Sequence, residues 1–590
     1  MRKKRFGFCM GESKIQHMDN REIAKVFEEM GDLLDIKGES FFKINAYRKA
    51  ALTIMNLGVD LRTLANDPEA LGRIPGIGEG LRKKILELIT TGKCTEHEEL
   101  KSQFPAGIIE MMQLRGLGPK KIQMLYLNLG ITSVQELKEA AEKQLIRDLP
   151  GMGEKTEKTI LTAIEEFGRF EVKRFLIHEA KQEATQLIEY LKKSSEIKQI
   201  QYAGSLRRCQ ETIGDIDILA TVKDPEKSHV KVMKYFGEYP GVLNIIAVGD
   251  TKSSVILHSG MQADLRVVAD SAFGAALHYF TGSKEHNVKI RDLAKKKGLK
   301  VSEYGVFKGE KIVGGKTEEE VFAAVGLPYI IPEIRRNEGE IEYGFEHGKF
   351  PKFVEIEDIR GDLHNHSKYS DGKNTIEQMA EVFMAKGYEY FAITDHSSLM
   401  PITNGMKKAD IRRQWKEVDA LNKRLKIRIL KGCEVDILKD GGLDFEDEIL
   451  QELDIVVASA HLFQKMPGED QTKRIIAAVE NPYVKILGHP TGRIINRRAE
   501  MDFDMKKVID ACVVNKVALE INSDPLRLDL AEKYVRIAKD MGAKFVINTD
   551  SHNLTNPDFM EYGIGMARRG WLTAKDVINT WPLQQFDTYF

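Results

Sequence analysis

Cysteine is scarce in this chain. There are five in 590 residues, Cys9, Cys94, Cys209, Cys433 and Cys512, an odd number with no paired short spacing. That pattern excludes a disulfide framework and a cysteine-based zinc site, and it leaves five free, reduced, structural thiols. Long apolar runs are missing too, so no stretch has the length of a membrane span. The basic run Arg2, Lys3, Lys4, Arg5 is not followed by the apolar segment a secretory leader needs. Residues 1–17 are expected to form a loose extension, with Met18 as an alternative start. Charge of one sign is also lacking, since 88 Lys and Arg face 89 Asp and Glu, a net charge of −1. Any grip on a polyanion must therefore come from local basic surfaces or oriented backbone amides. The expectation is a cytoplasmic protein that avoids membranes.

What is present is an ordinary globular composition, 42% hydrophobic and 30% charged, over a length that needs at least three separate cores. From about 20 to 170 the sequence reads as short helices separated by glycine turns. Ile74-Pro-Gly-Ile-Gly78, Arg115-Gly-Leu-Gly118 and Leu149-Pro-Gly-Met-Gly153 are copies of one motif, each followed by lysine and an amphipathic helix. A Gly-apolar-Gly turn before a helix leaves backbone N–H groups pointing outward, an arrangement that captures phosphate. It resembles the helix-hairpin-helix clamp on the DNA backbone. That likeness makes Gly76, Gly78, Gly116, Gly118, Gly151 and Gly153 candidate DNA contacts.

Between about 171 and 325 the pattern turns β-rich and predicts an α+β unit. Ala203-Gly-Ser-Leu-Arg-Arg208 puts a Gly-Ser turn after one strand, and Gly214-Asp-Ile-Asp-Ile218 puts two carboxylates on the next. Strand alternation places Asp215 and Asp217 on one face. With Asp264 from a neighbouring strand they can hold two Mg²⁺ or Mn²⁺ ions, one beside a 3′-hydroxyl and one on a triphosphate. Gly204 and Ser205 would offer an amide and a hydroxyl to that triphosphate. An Asp-x-Asp pair also suits a plain solvated strand face, and the constellation as a whole fits any nucleotidyltransferase.

Tyr279-Phe-Thr-Gly-Ser283, followed by Asn287 and Arg291, closely resembles the nucleotide-binding segment of family X DNA polymerases such as DNA polymerase beta, over about residues 20–345. The resemblance implies that Arg208 contacts the triphosphate. Tyr279 and Phe280 would lie against the sugar of the dNTP, Gly282 would line the same nucleotide site, and Asn287 would meet the base. Lys284 stands where the vertebrate enzyme carries an acidic residue. It further implies that Lys43, Tyr47 and Arg291 contact DNA and that Lys84 matches a lysine able to form a Schiff base with 5′-deoxyribose phosphate. Gly80 replaces a lysine of the family's 5′-phosphate pocket, and Lys84 also fits a solvated or phosphate-steering role.

After about residue 357 strand and helix alternate seven times, which implies parallel strands in a barrel or doubly wound sheet. All six histidines beyond 361 fall just after predicted strands, accompanied by acidic residues in Asp362-Leu-His-Asn-His366, Asp371, Thr394-Asp-His396, Gly432-Cys-Glu434 and Thr549-Asp-Ser-His552. Chemistry gathers at strand C-terminal ends in such barrels, and imidazole with carboxylate suits Zn²⁺, Mn²⁺ or Fe²⁺. The pattern resembles the PHP (polymerase and histidinol phosphatase) domain, a seven-stranded barrel with three metals. That resemblance implies one ion on His364, His366, Glu434 and Asp550, a second on Glu434, His461 and His489, and a third on Asp371, His396 and His552. Asp362 and Asp395 are expected to orient the histidines, and Arg493 to touch phosphate.

Both resemblances in this order are similar to the bacterial and archaeal family X polymerases that carry a PHP domain. The implied layout is an extension (1–17), an N-terminal helical domain with the first hairpin (18–95), a fingers-like domain with two more (96–175), a palm (176–265), a thumb (266–340), a linker (341–357) and the barrel (358–590). The implied function is filling of short gaps in DNA repair, with the barrel as a Mn-dependent 3′-5′ exonuclease or phosphodiesterase and abasic-site incision as a related activity. The implied partners are gapped or nicked duplex DNA and dNTPs, with the chain acting as a monomer. The alternative is a PHP-type phosphatase of small molecules on a non-catalytic DNA-binding scaffold.

Overall fold

The computed structural model describes residues 18, 20–55, 61, 71, 74, 76–112, 114, 117–169, 174–224, 228–398 and 403–589. The N-terminal extension, Arg115 and Gly116 lie outside them. The chain forms two compact units, 1–172 and 173–590.

The first unit is helical. Helices Asn20–Lys37 and Phe41–Met55 pack together over Ile23, Phe27, Leu33 and Ile44, joined by Ile85 and Leu88 of Glu79–Thr91. Cys94 and Leu100, at either end of the Thr95–Ser102 helix, complete this core. A second small core, with Ile108, Leu125 and Ile160, lies among the later helices. Gly78 and Gly118 cap the helices Glu79–Thr91 and Pro119–Leu129 without any side-chain hydrogen bond, and Gly153 directly precedes Glu154–Arg169. Gly76 and Gly151 have φ of +81° and +75°, which only glycine adopts without strain.

In the second unit a five-stranded sheet has the order Ile197–Tyr202, Asp215–Val222, Gln262–Val267, Lys252–Leu257, Val242–Val248. Ile216 and Ile218 point into its core, which sends Asp215 and Asp217 to the opposite face. Helices Phe273–Thr281 and Lys284–Lys296, a three-stranded antiparallel sheet (Lys300–Ser302, Gly305–Lys308, Lys311–Gly314) and helix Glu318–Val325 follow.

Residues 341–357 are not a loose linker. They hold most of the helix Glu340–His347, and Tyr343, Phe350 and Phe353 cluster on Trp571, at 5.2, 5.9 and 6.0 Å between ring centroids. Glu342, Glu346, Gly348, Lys349 and Lys352 face solvent, while Tyr343, Phe350 and Phe353, spread through the sequence, form a packed face.

The seven strands Gly361–Asp362, Tyr390–Ile393, Arg428–Asp436, Ile455–Ser459, Ile486–Leu487, Ala518–Asn522 and Phe545–Asn548 are parallel and adjacent in chain order. The first and last are joined by a bridge between Asn365 and Ser551 and by Asn579, which donates to Gly361 O (2.9 Å) and Ile547 O (2.6 Å). Leu363, Ala392, Leu430, Val457, Ile486, Ala518 and Val546 fill the interior, with Phe586 of the last helix, Leu583–Tyr589, in the same cluster. One buried apolar cluster runs through this near-barrel and the five-stranded sheet.

Two candidate active sites

Asp217 and Asp264 are direct neighbours across parallel strands, and Asp215 sits two residues before Asp217 on the same face. Burial, then the charges of Asp215 and Asp264, push the Asp217 carboxyl up to about 7. Burial and Asp264 push Asp215 up as well. Asp264 is shifted down: burial opposes this, but hydrogen bonds from Lys252 (2.7 Å) and Gln262 (2.9 Å) outweigh it. Three crowded carboxylates with this electrostatic tension are a donor set that divalent cations relieve.

Gly204 has a φ of +63°, and a Cβ there would lie 2.5 Å from Asp217 Oδ2. The turn therefore sits directly against the carboxylates. A cavity of about 480 Å³ joins Gly204, Ser205, Arg208, Asp215 and Asp217 to Tyr279, Phe280, Gly282, Asn287 and Arg291. Every residue expected around the nucleotide is on its wall, together with Lys284. Arg174 and Gln210 line it too and were not anticipated, because neither belongs to a motif. Arg208 donates to Thr281 O and so spans the cleft. Asn287 donates to Tyr279 O (2.7 Å), and Arg266 stacks on Phe280 at 4.3 Å.

In the helical unit, Tyr47 is buried and its hydroxyl donates to Glu96 at 2.8 Å. Lys84 Nζ pairs with the other Glu96 oxygen at 2.8 Å, and Lys43 pairs with Glu39 at 3.2 Å. Tyr47 thus holds Glu96 beside Lys84 rather than offering its ring to DNA. Phe41, Phe42, Lys43, Lys49 and Leu52 are among the exposed side chains of that helix.

The second site lies at the C-terminal ends of the barrel strands. His364, His366, Asp371, His396, Glu434, His461, His489, Asp550 and His552 converge there. Three overlapping groups, His366/Asp371/His396/His552, His364/His366/Asp550 and His396/Glu434/His461, each have ligand atoms within 4.8 Å of one another. His489 Nε2 lies 2.9 Å from Glu434 Oε1 and His461 Nε2 3.3 Å from the same oxygen. Ligands at about 2.0–2.2 Å from one ion stand roughly 3–3.5 Å apart, so these spacings fit shared metals. His366 and His396 each belong to two groups, so the division among ions is less clean than the resemblance implied.

Burial alone would push the Glu434 carboxyl up, but His461, His396 and His364 hold it well below the usual range. His364 Nε2 and His366 Nδ1 are buried without a hydrogen-bond partner, and His366 Nε2 stands 3.0 Å from Asp550 Oδ1, an arrangement suited to ligating atoms. His489 (φ +26°) and Asp550 (φ +52°) hold left-handed backbone that non-glycine residues rarely adopt. Imidazole and carboxylate donors in this number and spacing fit divalent transition metals.

Asp362 and Asp395 do not orient the histidine rings. Asp362 accepts from Thr549 Oγ1 (2.5 Å) and His364 N (3.2 Å), and Asp395 from Ser367 N (2.7 Å) and Gln414 (2.6 Å), so both pin loop backbone. Glu520, on His364 Nδ1 at 2.7 Å, and Asp436, on His461 Nδ1 at 3.1 Å, take the orienting role. Arg493 is not free for phosphate: it donates to the carbonyls of Arg527 (2.9 Å) and Leu528 and to Glu211 of the neighbouring turn (2.6 Å). A buried guanidinium satisfies its donors where it can.

Comparison with known proteins agrees with this division. Residues 18–94 match a helix-hairpin-helix domain and 108–166 a SAM-like helix-hairpin-helix tandem. Residues 276–336 match the DNA polymerase beta thumb and 362–524 the PHP domain. The DNA polymerase/3′-5′ exonuclease PolX of Bacillus subtilis is 39% identical over 577 residues, 97% of this chain and 99% of that protein. Rat DNA polymerase lambda is 25% identical across 54% of this chain and 56% of its own length. A probable phosphatase of Thermoanaerobacter sp. strain X514 is 32% identical across 37% of this chain and 89% of its own length. The chain belongs to the family X DNA polymerases, with helix-hairpin-helix domains, a polymerase thumb and a C-terminal PHP domain.

Proposed function

We propose that the chain fills short gaps in damaged duplex DNA and trims 3′ ends with its barrel. One observation carries the first half: the aspartate strand, the Gly204–Arg208 turn and the Tyr279–Asn287 segment border a single cavity of nucleotide size. Mg²⁺ or Mn²⁺ on Asp215, Asp217 and Asp264 would lower the cost of ionising a 3′-hydroxyl and neutralise the triphosphate. Around them the Gly204 amide, Ser205 and Arg208 bind phosphate oxygens, Tyr279 and Phe280 pack on the sugar, and Asn287 reaches the base edge. Bulk at Tyr279 excludes a 2′-hydroxyl. Gly76, Gly78, Gly118, Gly151 and Gly153, with Arg291, grip the DNA backbone; Gly116 is assigned with them from sequence.

In the barrel, up to three Mn²⁺, Zn²⁺ or Fe²⁺ ions held by the nine ligands would supply hydroxide and clamp a phosphodiester. Glu520 and Asp436 fix the rings of His364 and His461 for that task. The activity is a 3′-5′ exonuclease or 3′-phosphodiesterase, extending to abasic-site incision, in a monomeric cytoplasmic enzyme. A phosphatase of small molecules would account for the barrel alone and leave the polymerase cavity without a role.

The test supplies a one-nucleotide-gapped duplex with and without dNTPs. Asp217→Ala is expected to stop extension and spare 3′ degradation, and His364→Ala to do the reverse. Extension that survives Asp217→Ala would end the polymerase assignment, and loss of both activities in either variant would end the two-site reading.

A further inference from the structure

The polymerase cavity has two walls; the barrel touches one directly and reaches the other through Arg335 and Arg336. The first wall is the turn from Gly204 to Glu211. Arg569, the last residue of the barrel helix Met560–Arg569, donates from Nη1 to Arg208 O at 2.9 Å. At the far end of the turn Arg493 holds Glu211. Between them Cys209, at a φ of +51°, fits against Gly565 of the same barrel helix. A Cβ at Gly565 would come within 2.9 Å of the cysteine.

The second wall is the Tyr279–Asn287 segment. Ser283 N donates to Arg335 O at 3.1 Å, and the Arg335 guanidinium meets Glu318 at 2.6 Å. The next residue, Arg336, reaches Glu532 of the barrel at 2.7 Å. The same Glu532 oxygen accepts from Arg569 Nη2 at 2.8 Å. Arg569 is thus a buried fork, 1% exposed, with one tine on the first wall and the other tied through Glu532 and Arg336 to the second.

Burying a guanidinium is costly unless its donors are matched, and an arginine near another arginine adds repulsion. Burial first, then the Arg569 charge, bring the Arg208 guanidinium down to about 10. Glu532 already meets the Arg569 charge, whereas Arg208 lies on the cavity wall, where an anion such as the dNTP triphosphate would offset the burial and repulsion it feels.

We propose that Arg569, a barrel residue, is a positioning residue for the incoming nucleotide: it sets the backbone of Arg208 and couples both cavity walls to the PHP domain. This rests on the reading that Arg208 contacts the triphosphate.

The experiment uses the full chain and measures kcat and KM for dNTP on a one-nucleotide gap, 3′-5′ degradation with Mn²⁺, and thermal melting. Arg569→Met is expected to raise the dNTP KM by about tenfold or more, as loss of a charge-assisted hydrogen bond should. Degradation should stay within about twofold, because among the described residues the Arg569 guanidinium bonds Arg208 and Glu532, neither of them a barrel ligand, and Arg569→Lys should recover part of the KM. In the Arg208→Ala background, Arg569→Met should add little, since the two act through one group.

An unchanged KM in Arg569→Met, with a raised KM in Arg208→Ala, would overturn the inference alone. An unchanged KM in Arg208→Ala would overturn the underlying reading and this inference with it. A parallel fall of both activities and of the melting temperature would show a merely structural role. Should Arg569→Met not fold, Glu532→Gln, which loosens the same fork, is expected to raise KM to a smaller degree, and no rise there would equally refute the proposal.

Discussion

Gly204→Ala is the smallest change that should separate the two chemistries of this chain. Gly204 holds a φ of +63°, and a left-handed backbone costs an L-residue roughly 1–2 kcal/mol. Its Cβ would stand 2.5 Å from Asp217 Oδ2, against a floor of 3.0 Å for real Cβ contacts. The turn and the carboxylate must therefore part by about half an ångström, the tolerance within which catalytic groups have to be held. A misplacement near 1 Å costs on the order of 10²-fold in rate, so extension should fall by about ten- to a hundredfold. The fold should lose only the backbone term, a drop of a few degrees in melting temperature for a unit of this size. The assay is single-turnover extension on a one-nucleotide gap, with Mn²⁺-dependent 3′ degradation of the same preparation as the control. Extension at the wild-type rate would show that Asp217 and the Gly204 turn do not act together, and would refute the geometric account of the site.

Glu520→Gln keeps the size of the group that accepts from His364 Nδ1 but removes its charge, so the metal affinity of the barrel should fall by about 10- to 100-fold while extension is untouched; metal content after dialysis and the Mn²⁺ dependence of degradation both report this. Glu318 is buried between Arg207 and Arg335, and although burial opposes it, these arginines bring its carboxyl down to about 2. A carboxyl whose folded value lies below its unfolded one contributes stability that is complete above about pH 5 and is lost as pH falls towards 2. Acid titration of the melting temperature should show that loss, on the order of 3 kcal/mol, and Glu318→Gln should remove that share of the pH dependence while destabilising the fold at neutral pH. Lys84 is engaged by Glu96 at 2.8 Å, so borohydride reduction with 5′-deoxyribose phosphate is expected to trap no more product on the wild type than on Lys84→Ala; a strong Lys84-dependent adduct would show that the ion pair opens.

The alternation of barrel strands and helices was legible, because burial on both faces forces short apolar runs with histidines or acids at their ends. The palm strands were legible for a related reason, the alternation that puts Asp215 and Asp217 on one face. The segment 341–357 was not, because composition averages over residues while packing selects Tyr343, Phe350 and Phe353 individually and brings them to Trp571, far along the chain. Arg493 misled for the same reason. Its neighbourhood in sequence is a loop rich in glycine and proline, and its neighbourhood in space is Glu211 and two carbonyls.

The division between legible and illegible residues follows from how each kind is constrained. A ligand must be one of a few residue types at the end of a strand, so its motif is local and survives in the sequence. The residue that orients a ligand need only be near it in the fold, and nothing next to it in the chain records that. Glu520 nevertheless carried a signal. It stands in Ala518-Leu-Glu-Ile-Asn522, in the middle of a strand buried on both faces, where a carboxylate is tolerated only if something charged or donating meets it. The candidates at the same barrel end are the clustered histidines and asparagines, and the structure places His364, Asn522, Asn548 and the His489 amide within hydrogen-bonding distance of it. A buried acid in an apolar strand of such a barrel can therefore be assigned to the metal centre before any distance is known.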